Sequence, residues 1–121
     1  MPPYLDSAES LDAFLADFDA GRIPRAEWNH AAHLAFAAAA IQQGAGMDEI
    51  RARILHYASI QGIESTPDSG YHETLTRFWV DRLAALTAAL GRGTTQLDAA
   101  RAAVAAFAHR PRLFEAYYTF D

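Results

Sequence analysis

Three of the chain's five histidines fall in two short polar stretches: His30 and His33 in "EWNHAAHL", and His72 in "GYHETLT". On a helix, residues three apart lie on one side, one turn above the other. His30 and His33 so placed can converge on one point. Neutral imidazole is the commonest protein ligand of zinc, and it also suits iron, copper and nickel. A place near a helix N-terminus disfavours the protonated form, because the dipole is positive there. His72, supplied by a second element, completes a three-histidine set with an open fourth position, the pattern of a catalytic rather than a structural metal. The expectation is therefore one mononuclear divalent metal site, with His30, His33 and His72 as ligands. Zinc or iron leads, and copper or nickel would also fit. Zinc would support hydrolysis through a metal-bound water, and iron an O₂-dependent oxidation.

Glu73 adjoins His72. Consecutive helical residues point about 100° apart, so the two take different roles toward one ion. Glu73 is a candidate fourth ligand or a candidate catalytic acid–base group acting on bound water. Its plainer role is to offset the dipole at a helix start. Tyr71 and Thr74, with Thr66, are candidate hydrogen-bonding contacts to substrate. Glu27 is a candidate ligand or imidazole-orienting partner, or simply a first-turn acid. Trp28 is read as packing beside the site. His56 is assigned to surface or core, and His109 to a helix C-terminus, where a cation suits the dipole.

Two other readings use the same residues. In one, the histidines and Glu73 line a metal-free pocket that binds a small molecule or moves protons. In the other, the chain is a structural or partner-binding bundle and the polar stretches are caps. Caps are normally Ser, Thr, Asp or Asn, so repeated histidine is the feature that counts against the last reading.

The elements that must position these residues are helical. Leu11, Phe14, Leu15 and Phe18 recur at i, i+3, i+4 and i+7, one face of a helix that Ser7 or Ser10 can cap and Gly21 can end. A second helix is expected from about Glu27 to Gln43. A third begins at Asp48, with Ile50, Ile54, Tyr57 and Ala58 inside, Glu49 paired to Arg53, and Gly62 as its stop. "GIESTPDSG" reads as a loop. A fourth helix carries Leu75, Phe78, Trp79, Arg82, Leu83, Leu86 and Leu90. Thr95 caps a fifth with Leu97, Ala100, Val104 and Phe107, and Pro111 opens a last short helix through Tyr117. The expected fold is all-α, a single domain over residues 1–121: a bundle of four longer helices plus short ones.

Composition narrows the function. The 121 residues suit one domain, and few of the apolar ones are β-branched, which favours helix over sheet. The formal net charge is −5, and all ten basic residues are arginine, with no basic run. Nucleic acid is therefore an unsuitable partner. Cysteine is absent, which removes disulfides, thiolate nucleophiles and Cys-ligated zinc. No stretch approaches the roughly 20 apolar residues of a membrane span, and "MPPYLDSAES" lacks the regions of a secretory signal. A cytoplasmic protein with a small-molecule substrate, no membrane partner and room for a homodimer is the expectation.

The pair of motifs, "IPRAEWNHAAHL" and "GYHETLTRFW", together with the "YY" near the C-terminus, resembles an uncharacterised family of small bacterial helical proteins with W-x-H-x-x-H-L and G-Y-H-E-T motifs. The resemblance spans residues 23 to 118 and implies that the two polar stretches belong to one site. It implies no reaction. In architecture the chain is also similar to small bundles that bind one metal through three histidines, as the DinB-like proteins do, although order and spacing differ.

Overall fold

The computed structural model describes residues 1–63 and 73–113. Five α-helices carry the fold: α1 Ala8–Asp19, α2 His30–Gln42, α3 Met47–Gln61, α4 Glu73–Leu90 and α5 Gln96–Phe107. Single 3-10 turns at Pro3–Leu5 and Arg25–Glu27 precede α1 and α2. There is no strand among the described residues. The all-helical expectation holds. The five helices run to 12, 13, 15, 18 and 12 residues in chain order. The expected last helix, through Tyr117, extends outside the described residues.

Local chemistry sets the helix ends. Ser7 caps α1 by accepting from the Ser10 N–H at 3.1 Å, and Thr95 caps α5 by accepting from Asp98 at 3.0 Å. Asn29 does the same for α2 through the Ala32 N–H, so this helix starts at His30 and Glu27 is left outside it. Gly21 closes α1 at φ 73°, with its N–H on the Phe18 carbonyl and that of Arg22 on the Asp17 carbonyl. That is the Schellman pattern, which needs a left-handed residue. A Cβ on Gly21 would also sit 2.7 Å from the Ile60 Cβ, so space and backbone both require glycine there.

The centre of the molecule is α2. Its residues from Leu34 to Ala40 are all buried, as is Ala32. A helix apolar all round belongs inside, and α2 packs most extensively on α5, then on α4. Small residues make this close approach work: Ala99, Ala100 and Ala103 of α5 are fully buried. The α1 stripe of Leu11, Phe14 and Phe18 and the α3 stripe of Ile50 and Tyr57 complete the core. Arg53 of α3 binds Asp19 of α1 at 2.9–3.0 Å and pairs with Glu49 at 3.5 Å. Among the described residues, no helix is long and apolar enough to cross a membrane.

Candidate functional site

A cavity of about 480 Å³ lies among α2, α3, α4 and the segment before α2. That volume is in the range of small-molecule sites. Its inner wall is aliphatic: Leu34 and Ala37 of α2, Ile50 of α3, and Val80 and Leu83 of α4, all buried. Trp28, Tyr57 and Trp79 supply aromatic walls, and exposed Arg25, Asn29 and Pro111 stand at the rim.

The connection from α1 to α2 is held rigidly by α3. The Tyr57 hydroxyl donates to the Ile23 carbonyl at 2.7 Å, and the Gln61 amide donates to the Gly21 and Ile23 carbonyls at 2.7 and 3.2 Å. Burial raises the Tyr57 phenol above its ordinary range, so it stays neutral and keeps donating. This fixes Trp28, whose ring stacks on Phe18 at 4.4 Å, meets Tyr57 at 5.2 Å and meets His33 at 4.1 Å. On the other side, Trp79 contacts His30 at 4.9 Å and Phe107 at 5.5 Å.

Both histidines of the first motif line this cavity, and they differ in role. His30 Nε2 lies 3.1 Å from the Phe107 carbonyl. A carbonyl only accepts, so Nε2 carries the proton and donates, which fixes the tautomer. Burial lowers the pKa of His30, partly offset by that hydrogen bond. Among the described residues, none makes a hydrogen bond to the His33 ring. Protein atoms crowd around that ring, yet the residue is exposed by surface area and lines the cavity. Burial, with a smaller contribution from His30, pushes its pKa down to about 4. At neutral pH His33 is an uncharged imidazole, one donor and one acceptor, with neither used by the described residues.

The expected mononuclear metal centre needs correction. Among the described residues, no three His, Asp or Glu side chains gather where they could hold an ion. Glu73, expected as ligand or acid–base group, is bound by arginine. Arg51 Nε donates to both its oxygens at 3.0 and 3.1 Å, Arg51 Nη2 donates at 2.6 Å, and Arg77 approaches at 3.4 Å. Both carboxylate oxygens thus accept charge-assisted hydrogen bonds from guanidinium groups. The cause was hidden in sequence, because Arg51 lies 22 residues upstream on another helix. Of the three histidines, His30 and His33 share the cavity wall, and His72 lies outside the described residues, as do Tyr71 and Thr66. Thr74 is exposed and Thr76 lines the cavity in its place. Glu27 is exposed, as are His56 and His109. Trp79, Tyr57 and Arg25 belong to the cavity and were not singled out for it from sequence. Helical spacing marks Trp79 and Tyr57 as core stripes, and no periodicity marks Arg25.

Comparison with protein-family models, curated proteins and solved structures found no match.

Proposed function

We propose that this chain binds a small, largely apolar molecule in the cavity between α2, α3 and α4, with His33 as the polar anchor. The observation that carries this reading is the state of the His33 imidazole. An imidazole crowded by protein atoms but given no protein partner among the described residues depends on whatever fills the cavity, water or ligand, for its hydrogen bonds. Here the group faces an apolar space large enough for a ligand, beside aromatic walls held in place by the Tyr57 and Gln61 hydrogen bonds. A ligand with one hydroxyl or carbonyl on an apolar body satisfies the imidazole and removes the walls from water. Apolar walls and few convergent polar groups are the usual make-up of such sites.

Both of the chain's tryptophans, Trp28 and Trp79, line the cavity. Indole emission therefore reports occupancy directly. Titration with 3-phenylpropan-1-ol, a neutral alcohol on an apolar body, is expected to give a saturable change in emission. Ala37→Phe, which places a ring on the inner wall, is expected to abolish it. An emission that stays constant through the titration, or a saturable change that survives in Ala37→Phe, contradicts the proposal.

A further inference from the structure

We infer that the ligand of this cavity is a small amphipathic monoanion, its acidic group on Arg25 at the rim and its apolar body inside. This rests on the pocket reading above and adds the charge of the ligand. Arg25 is the one permanently charged residue among the described residues that line the cavity, and none of those residues is an acid. The other titratable groups facing the space are His30, His33 and Tyr57. All three are neutral at pH 7 by the direction of their shifts. Among the described residues that line it, one guanidinium therefore sets the electrostatic sign of the site.

The surroundings of that guanidinium differ from those of its neighbours in sequence. The chain is acidic, with 15 Asp and Glu against ten arginines, and the arginines nearest in sequence are claimed. Arg22 binds Asp17 at 2.8 Å, Arg51 binds Glu73 at 2.6 Å, and Arg53 binds Asp19 at 2.9 Å. Among the described residues, none offers Arg25 a carboxylate or another hydrogen-bond acceptor. It sits in the 3-10 turn Arg25–Glu27, three residues before Trp28 and Asn29 bring the chain to the cavity wall. A guanidinium presents a planar fork of donors that matches a carboxylate. An exposed cation at the mouth of an apolar space attracts anions, repels cations and leaves the apolar contacts unchanged.

Three probes with one body separate the terms: 3-phenylpropanoate, 3-phenylpropan-1-ol and 3-phenylpropylammonium, measured by calorimetry near neutral pH at low ionic strength. The carboxylate is expected to bind about two- to fivefold more tightly than the alcohol, the range of an exposed ion pair, and the ammonium more weakly than both. In Arg25→Gln the carboxylate advantage is expected to disappear while the alcohol's affinity is retained. Added salt is expected to shrink the advantage in the wild type. Equal binding of all three probes, or a carboxylate preference that survives in Arg25→Gln, overturns the inference and leaves the pocket standing. If none of the three binds, the pocket itself falls, and the charge of its ligand with it.

Discussion

At the scale of the residue, the two histidines of "NHAAH" point to one cavity and stand in different chemical states. His30 spends its Nε2 proton on the Phe107 carbonyl, whereas His33 spends nothing on the described residues. The i, i+3 spacing was legible as a shared direction, and the structure bears that out. What spacing cannot convey is what each ring meets, since Phe107 and Trp79 arrive from elements far along the chain. The His33 shift has a consequence for pH. Its folded pKa of about 4 lies below the ordinary 6.5. Between those values the unfolded chain takes up a proton that the folded chain refuses, so stability falls as pH drops through that window and is at its full value above it. The expected outcome is a melting temperature that declines from about pH 6.5 toward pH 4 and declines less in His33→Leu. Parallel pH profiles for the two proteins would mean that His33 is not the group responsible.

At the scale of the element, the stripes on α1, α3 and α4 and the caps Ser7 and Thr95 could be read from sequence, because amphipathic periodicity and capping are local. The role of α2 could not. Alanine gives no contrast between faces, so a helix buried on every side resembles any alanine-rich surface helix. The packing of α2 against α5 makes small side chains necessary at Ala99, Ala100 and Ala103. Ala100→Leu is expected to cost about 1–3 kcal/mol through overpacking, read from the urea midpoint at constant slope. An unchanged midpoint would mean that the two helices have room to spare. Gly21→Ala is expected to cost about 1–3 kcal/mol, because φ 73° is a left-handed conformation and the new Cβ meets Ile60. Urea unfolding of that variant within a few tenths of the wild type would count against both reasons.

At the scale of the whole molecule, the fold encloses a space that no single helix predicts. α3 fastens the α1–α2 connection through Tyr57 and Gln61, and Arg51 fastens α3 to the start of α4 through Glu73. These are contacts across 22 to 40 residues, which is why local patterns show the helices and the pocket's histidines but not its walls. The same distance explains the metal expectation. Glu73 looked available beside His72 until Arg51 was brought to it. Leu83 lies on the cavity wall and in the core at once, fully buried. Leu83→Ala is expected to cost about 2–5 kcal/mol, and a loss under about 1 kcal/mol would place the buried face of α4 elsewhere.

The account's central claim is that the His33 imidazole, without a partner among the described residues, is satisfied by a ligand, and His33→Leu tests that most directly. Replacing an exposed polar side chain that makes no hydrogen bond to the described residues by an apolar one of similar size leaves the fold close to its original stability. The expected result is a melting temperature at neutral pH close to that of the wild type, together with weaker binding of 3-phenylpropan-1-ol, about three- to tenfold by the loss of one hydrogen bond. A melting temperature lowered by several degrees, with binding of the alcohol unchanged, would make His33 a structural residue and contradict the claim.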